Sequence, residues 1–249
     1  MSAPWQVRRL AVCASTERNL EQWLHTQPPP EHPDWRRMVV ARRQRYGRGQ
    51  RGRAWQSPAG GLWLSAAFPW PGDPAAAAAP SLAMALGLAQ ELDHLYGPAA
   101  GLPVAIKWPN DLHGYGRKLA GLLPRLRLRS GRVRWAQLGL GLNGINRVPE
   151  GAIGLGELLN RAAGRSCSRF HPRATPRALE ALAQRAIERC LALADQPEQV
   201  RREVEQRLWQ PGGGIERDCV RWQIAALERD GGLRVVDAHG RHAVWRRDF

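Results

Sequence analysis

Apolar and polar residues alternate most regularly between residues 126 and 142. The apolar positions of this segment are Leu126, Leu128, Val133, Trp135, Leu138, Leu140 and Leu142. Arginines fill most of the intervening positions up to Arg134, and Ser130-Gly131 offers a turn. A period of two residues on both sides of a turn predicts a β-hairpin. We therefore expect one face of the hairpin to pack on the core and the arginine-rich face to meet water.

Shorter apolar runs predict further strands. Four of them lie in the first half of the chain, at residues 10–13, 38–41, 61–68 and 104–107. Three more are separated by glycine-containing turns near the C-terminus, at residues 220–224, 233–235 and Val244. Short strands with such turns are typical of a small all-β unit.

Helical spacing of apolar residues appears in four other segments. These are residues 16–24, 81–96, 179–191 and 199–209. Ser15 and Thr16 offer an N-cap for the first, and Pro176 precedes the third. The second is apolar on nearly every side, so we expect it to be covered on more than one face and to stop at Gly97.

This order of elements predicts an α+β fold, a mixed sheet with flanking helices plus a small β module. The period changes after Pro211-Gly212-Gly213-Gly214. We therefore divide the chain into a main domain, residues 1–210, and a C-terminal module, residues 211–249. A module of about 40 residues is short for independent stability, so we expect it to pack on the main domain.

Composition indicates a globular protein that is neither exported nor inserted in a membrane. Hydrophobic residues make up 43% of the 249 residues, which is enough for a substantial core. No apolar run approaches the 18 residues of a membrane span, and the N-terminus lacks the apolar core of a signal peptide. The four cysteines form no CxxC pair, so we expect reduced thiols, no zinc site and a cytoplasmic location.

The net charge of +15 predicts an anionic partner: a nucleic acid, a nucleotide or an acidic protein. Nearly all of the positive charge is arginine, whose planar fork suits carboxylate and phosphate. A genome rich in G and C would also enrich arginine, which is the simpler explanation of much of this charge. Lys107 and Lys118 are the two lysines, and their rarity makes each more informative.

Four segments combine polar residues with glycine or proline in a way that a plain core does not need. They are residues 42–58, 107–111, 117–121 and 139–143. Between residues 42 and 53 there are six arginines and three glycines. Glycines allow backbone N–H groups to approach a ligand, and arginines beside them can clamp an anion. Because apolar strands flank this stretch, we interpret it as a ligand loop within a fold rather than a disordered tail.

Together these segments resemble the biotin–protein ligases. The motifs that carry the resemblance are GRGQRGRAW (47–55), KWPNDL (107–112), RKLAGLL (117–123) and GLGLN (139–143). They occur in family order and at family-like spacing. The resemblance implies a class II synthetase-like domain that binds biotin and ATP, followed by an SH3-like module. Since no helix-turn-helix segment precedes Ser15, we expect the short class without a DNA-binding domain.

The activity implied by the resemblance has two steps. Biotin's carboxylate attacks the α-phosphate of ATP, with Mg²⁺ held mainly by the phosphates, and gives biotinyl-5′-AMP. A lysine of an acidic biotin carboxyl carrier protein domain then attacks this anhydride and releases AMP. Fixed cations and backbone N–H groups can bring two anions together against their repulsion.

The resemblance implies catalytic roles for three residues. Lys118 would contact both the biotin carboxylate and the α-phosphate. Arg48 would lie along the biotin chain and the adenylate. Asp111 would assist the acceptor lysine or the metal.

The resemblance also implies a binding set around both ends of the intermediate. Ser15, Thr16 and Gln44 would hold the biotin head group, while Gly47 and Gly121 would lie against biotin. At the nucleotide end are Trp55, which would stack on the adenine, and Asn110, Asp111 and Asn143.

The chain departs from the family pattern in two places. Many members carry arginine where this chain has Gln50, so we expect Gln50 and Arg51 in the binding set, with Arg51 as a possible substitute. A less firmly held adenylate would favour labelling of bystander proteins. Ala14 and Glu17 also stand where aspartate and asparagine are common.

Three rival hypotheses follow from the same residues. A lipoate or octanoate protein ligase shares the implied fold, but the polar Ser15, Thr16 and Gln44 suit a ureido ring better than an alkyl chain. A nucleic-acid-binding protein would explain the charge, but we expect no specific DNA binding because no recognition motif is present. A non-catalytic relative is disfavoured by the intact Lys118.

Overall fold

The structure, a computed structural model, describes residues 5–30, 34–71, 73, 77–96, 102–166 and 168–246. Its helices are α1 (Thr16–Thr26), α2 (Pro80–Tyr96), α3 (Leu155–Ala162), α4 (Pro176–Ala192) and α5 (Pro197–Gln206). The strands of the first sheet are β1 (Gln6–Leu10), β2 (Arg37–Ala41), β3 (Leu62–Phe68), β4 (Val104–Lys107), β5 (Asp111–Gly114), β6 (Arg117–Arg129) and β7 (Arg132–Leu142). The strands of the second sheet are β8 (Ile215–Arg217), β9 (Val220–Leu227), β10 (Leu233–Asp237) and β11 (His242–Trp245).

The first sheet has seven strands in the order β1-β2-β3-β7-β6-β5-β4. The β1–β2 pair is parallel and the other pairs are antiparallel, so the sheet is mixed, as predicted. The predicted hairpin forms its centre, because β6 and β7 pair from Ala120–Leu142 to Arg129–Arg132. The α+β fold class is confirmed.

The two faces of this sheet carry different elements. On one face, α1 packs its Leu20, Trp23 and Leu24 against Val39 and Ala67. The opposite face packs against the larger core, which includes residues of α2, α4 and α5. Most of the core therefore lies on the helical face, and the face that carries α1 has room for a cavity.

Helix α2 is buried on several sides, as its apolar sequence predicted. It lies so close to α4 that a Cβ on Gly87 would be 2.7 Å from the Ala186 carbonyl oxygen. Glu91, 2% exposed, joins the same two helices by accepting hydrogen bonds from Arg185 and Arg189. Burial alone would raise the pKa of Glu91, but these two arginines outweigh it and hold the pKa below its usual value.

Replacing Glu91 with alanine is expected to lower the free energy of unfolding by about 2 kcal/mol, because a buried, doubly paired carboxylate is lost. Urea denaturation of the purified variant measures this. The control is Glu180→Ala, since the Arg9 of that pair is 65% exposed and a surface pair contributes less than about 1 kcal/mol. Equal losses in the two variants would contradict the structural role of Glu91.

The second sheet has four antiparallel strands in the order β11-β10-β9-β8. It contacts the preceding part of the chain through Trp108, whose indole N–H donates to the Gly231 carbonyl at 2.9 Å. Glu205 of α5 accepts a hydrogen bond from the Leu227 backbone N–H at 2.7 Å. The small β module and its packing are as predicted, while the domain boundary at residue 210 stays a prediction.

Several element boundaries differ from the predicted ones. The first strand spans Gln6–Leu10 rather than residues 10–13. It is an exposed edge strand, which needs few apolar positions, and its arginines interrupt the apolar pattern that predicts a strand. Strands β5 (four residues) and β8 (three residues) and helix α3 (eight residues) were not predicted. Gly97, the predicted end of α2, lies outside the described residues.

Candidate active site

The arginine–glycine stretch forms a narrow loop beside α1. Trp55 N donates to the Gly47 carbonyl at 2.8 Å, and Gly49 N donates to the Arg53 carbonyl at 2.8 Å. Residues Gln50–Gly52 close its tip as a 3-10 turn. The start of the loop is also tied to the segment before α1, because Arg45 N donates to the Cys13 carbonyl at 2.9 Å. The loop therefore belongs to the fold, as interpreted from its flanking strands.

A row of paired residues crosses the sheet beneath this loop. Trp63 pairs with Gly141, Gly141 with Gly121, and Gly121 with Asp111. The two glycines leave a slot in the sheet surface, and the Trp55 indole fills it. A Cβ on Gly141 would lie 2.5 Å from Trp55 Nε1, and one on Gly121 would lie 2.9 Å from Trp55 Cζ3. The glycines thus make room for Trp55, which anchors the loop to the sheet.

The charged pair Lys118–Asp111 lies beside this slot. Lys118 Nζ is 2.6 Å from Asp111 Oδ2 and 5.1 Å from the centroid of the Trp55 ring. Asp111 Oδ1 and Trp55 Nε1 are both buried and find no hydrogen-bond partner among the described residues. This part of the site therefore combines a partly exposed ammonium with two buried polar atoms that have no partner among the described residues.

The end of the site formed by Thr16, Gln44 and Ser65 presents uncharged polar groups. Gln44 Oε1 accepts from Thr16 N at 2.8 Å and from Thr16 Oγ1 at 3.0 Å. Gln44 Nε2 donates to Ser57 Oγ at 2.9 Å. Thr16 Oγ1 also lies 2.9 Å from Ser65 Oγ on β3. This set of hydroxyl and amide groups can recognise a neutral polar ligand.

Two predicted asparagines are built into the backbone around the site. Asn110 Nδ2 donates to the Leu122 carbonyl at 2.6 Å, which fixes the turn between β4 and β5. Asn143 Oδ1 accepts from Asn146 Nδ2 at 3.1 Å. Both asparagines are buried, so each helps to hold the wall of the site in place.

These groups surround one cavity of ≈ 350 Å³. It brings together most of the predicted site residues: Ser15, Thr16, Gln44, Arg48, Gln50, Trp55, Asn110, Asp111, Lys118, Gly121 and Asn143. Gly47 and Arg51 do not line it. Gly47 packs instead against Ser57 and the Trp55 carbonyl, and Arg51 lies exposed at the loop tip with φ 54°.

Arg53, Glu17 and Ser65 line the cavity without having been predicted. Arg53 stands opposite Gly49 across the loop. A prediction of this hairpin-like pairing would have placed Arg53 beside the ligand. Ser65 is a polar residue within the apolar run 61–68, which is a signal that the sequence does contain. Glu17 follows Thr16 in the first turn of α1 and is paired with Arg125 at 3.0 Å.

His113 lies on β5, two residues after Asp111, and its ring centroid is 5.5 Å from that of Trp209. Burial lowers the pKa of His113, and the charge of Lys107 lowers it further. The unfolded state therefore takes up a proton at a higher pH than the folded state does. Stability is complete above the unfolded pKa, about 6.5, and is lost as pH falls below it.

We accordingly expect the free energy of unfolding to fall between pH 7 and pH 5, and to fall less in His113→Gln. Denaturant titrations at the two pH values measure the difference. The pKa of His171 is lowered in the same direction, so His171→Gln should also reduce the fall and serves as the comparison. An equal fall in wild type and in both variants would contradict this assignment.

Among the described residues, no cluster of three or more His, Cys, Asp or Glu side chains could hold a metal ion. Nor does the described part of the chain contain a helix long and apolar enough to cross a bilayer.

The sequence matches the model of the biotin/lipoate A/B protein ligase family over residues 10–143, more than half of the chain. It is 39% identical over 127 residues to the bifunctional ligase/repressor BirA of Salmonella typhimurium, covering 50% of this chain and 38% of that protein. It is 40% identical over 115 residues to the biotin–[acetyl-CoA-carboxylase] ligase of Paracoccus denitrificans, covering 46% of this chain and 47% of that protein. The chain thus aligns with less than half the length of these relatives.

Two solved structures share the fold over almost their whole length. The biotin protein ligase of Aquifex aeolicus in complex with biotin and ATP superposes with a TM-score of 0.66 at 20% identity, covering 97% of this chain and 99% of that one. The biotin protein ligase of Leishmania major in complex with biotinyl-5-AMP gives 0.64 at 21% identity, covering 98% and 100%. At this level of identity, the likeness establishes the fold.

Proposed function

Since the chain belongs to the biotin/lipoate A/B protein ligase family, we propose that it is an ATP-dependent biotin–protein ligase. One observation carries the proposal. A single cavity joins a neutral hydroxyl–amide end, the lysine of the Lys118–Asp111 pair and the cationic loop residues Arg48 and Arg53. Such a cavity suits a molecule with an uncharged polar head, a carboxylate and a nucleotide phosphate along its length.

In the first step, a carboxylate oxygen of biotin attacks the α-phosphorus of ATP. A C–O–P linkage forms, the bond between the α- and β-phosphates breaks, and pyrophosphate leaves. Lys118 holds the carboxylate and α-phosphate together and stabilises the negative charge on the transferring phosphate. Arg48 and Arg53 hold the phosphates from the loop.

In the second step, the neutral amine of an acceptor lysine attacks the acyl carbon. An amide bond forms, the C–O bond to AMP breaks, and the amine loses a proton. Asp111 is suited to receive that proton or to orient the amine, since its Oδ1 has no partner among the described residues.

The donor set also fits Mg²⁺ that travels with ATP. Mg²⁺ is commonly held by one or two carboxylates together with substrate phosphates, and Asp111, which lines the cavity with its side chain 17% exposed, is the carboxylate that would contribute. When bound, the ion would neutralise phosphate charge. Arg48 and Lys118 then position the reacting groups.

We favour biotin over lipoate or octanoate because of the neutral polar end. Thr16, Gln44 and Ser65 present hydroxyl and amide groups that a ureido ring can satisfy. An alkyl chain or a dithiolane ring would leave the remaining hydrogen-bonding capacity of these groups, such as the second N–H of Gln44 Nε2, without a partner, at a cost of about 1–3 kcal/mol.

The acceptor that we propose is an acidic biotin carboxyl carrier protein domain, and the charge of +15 supports this choice. We also propose a cytoplasmic location, which the free thiols of Cys13, Cys190 and Cys219 support. The test of the whole reaction is the intact mass of a purified carrier domain incubated with the protein, biotin and ATP–Mg²⁺. One added biotinyl group, absent when the acceptor lysine is changed to arginine, is expected; no mass gain would overturn the proposal.

Gln50→Arg is expected to reduce labelling of bystander proteins. Gln50 lines the cavity where many relatives carry arginine, and a guanidinium there would hold the adenylate more firmly. Biotin incorporation into serum albumin mixed with the enzyme should fall about tenfold, since one charge-assisted hydrogen bond contributes roughly 1.5 kcal/mol. Arg51→Gln is the control, because Arg51 lies outside the cavity lining. Unchanged albumin labelling by Gln50→Arg would contradict the expectation.

A further inference from the structure

The hydrogen bonds at the neutral end of the cavity run in one direction. A backbone N–H can only donate, so the Gln44 atom that faces Thr16 N must be the amide oxygen. Thr16 Oγ1 faces the same oxygen and must therefore donate its proton to it. Because that proton is used, Ser65 must donate the hydrogen bond between the two hydroxyls.

The remaining hydrogen bonds of this series follow from the same orientation of the Gln44 amide. Gln44 Nε2 faces Ser57 Oγ and donates to it. Ser57 then donates its own proton to the Trp55 carbonyl at 3.3 Å. Gly47 leaves the space for this arrangement, since a Cβ there would lie 2.7 Å from Ser57 Oγ and 3.2 Å from Gln44 Nε2.

This direction determines what remains for a ligand. The second N–H of Gln44 Nε2 makes no hydrogen bond within the described part of the chain, so it is a donor. The hydroxyl hydrogens of Ser65 and Thr16 are already used in these hydrogen bonds, so both hydroxyl oxygens can act toward a ligand only as acceptors. All three residues line the cavity, and Ser65 is 3% exposed.

We propose that Ser65 and Ser57, through this one-way chain, make the cavity specific for a cyclic urea. Ser65 is a specificity residue that accepts a ureido N–H, and Ser57 is a positioning residue that holds the Gln44 amide for the urea oxygen. The proposal rests on the proposed biotin activation and adds two residues that the sequence motifs did not include.

Biotin-dependent pyrophosphate release by Ser65→Ala and Ser57→Ala tests the proposal. We expect KM for biotin to rise about tenfold in Ser65→Ala and about threefold in Ser57→Ala, the usual effect of losing one hydrogen bond. KM for ATP and kcat should stay within about twofold. Ser57→Thr, which keeps the hydroxyl, should restore the wild-type KM.

The matched control is Ser81→Ala, which removes an equally buried serine from α2, a helix packed on the other face of the sheet. Biotin-dependent pyrophosphate release by wild type, together with an unchanged KM for biotin in Ser65→Ala, Ser57→Ala and Ser81→Ala, would overturn the inference and leave the proposed function standing. No biotin-dependent release by wild type would overturn the function itself. If Ser57→Ala does not fold, the KM of Ser65→Ala decides the inference.

A reversal of the hydrogen-bond pattern gives a sharper test. In Gln44→Glu the free donor becomes an acceptor, while Thr16 can still donate and Ser57 can turn its proton toward the new carboxylate. The ratio of kcat/KM for 2-iminobiotin, whose guanidinium donates where biotin's urea oxygen accepts, to that for biotin should rise at least tenfold. An unchanged ratio would overturn the assigned direction.

Discussion

Replacing Lys118 with alanine is expected to lower biotin-dependent pyrophosphate release by about a thousandfold, the scale of losing a group that stabilises charge in the transition state. Lys118 Nζ lies 2.6 Å from Asp111 Oδ2 and 5.1 Å from the centroid of the Trp55 ring, with the glycine slot directly beside it. Its loss removes the cation between two anions that must meet, and leaves the Asp111 carboxylate to repel them.

The chain offers a matched control in Lys107, its one other lysine. The Lys107 ammonium lies 4.9 Å from the centroid of the Trp209 ring and does not line the cavity. Lys107→Ala should therefore keep wild-type activity within about threefold. Pyrophosphate release by the two variants, with thermal unfolding as a check on folding, measures the difference. Similar activities of the two variants would exclude Lys118 from the catalytic role.

The second large effect is expected from Gly141→Val. A side chain there meets the Trp55 indole, with its Cβ 2.5 Å from Nε1, so the tryptophan must leave the slot. The arginine–glycine loop then loses its anchor on the sheet. Displacing the loop by about 1 Å can cost roughly a hundredfold in rate, so kcat/KM should fall by about that factor.

Gly139→Ala lies on the same strand and gives the comparison. Its Cβ meets the Leu123 Cβ at 3.3 Å, a side-chain contact that small shifts can relieve. We expect a loss well below that of Gly141→Val. Steady-state kinetics with biotin and with ATP provide both values, and equal losses would mean that the Trp55 slot does not position the loop.

Much of the fold followed from periodicity because its central elements bury one face. The hairpin of β6 and β7 and the helices α1, α2 and α4 were found in this way. Strand β1 was misplaced because it is an exposed edge strand with few buried side chains. Its position depends on pairing with β2, which is distant in sequence, and local patterns do not contain that information.

The candidate site was predicted through motifs, and its internal geometry was not. Gly121 was predicted as a biotin contact and Gly141 fell in a glycine-containing segment, but their register across the sheet, and hence the slot for Trp55, depends on the pairing of three strands. Ser65 was passed over although it interrupts an apolar run, and Ser57 was passed over because a lone serine in a loop carries no motif. Their importance comes from contact with Gln44 and Thr16, which only the fold brings together.

Formation of the acyl adenylate is the most direct measure of whether the protein activates biotin. The purified protein is incubated with ATP–Mg²⁺ and biotin, lipoate or octanoate, and the products are identified by mass spectrometry together with released pyrophosphate. Biotinyl-5′-AMP and pyrophosphate are expected with biotin, little of either with the other two acids, and none in Lys118→Ala. Adenylate formation from lipoate or octanoate in preference to biotin would contradict this expectation.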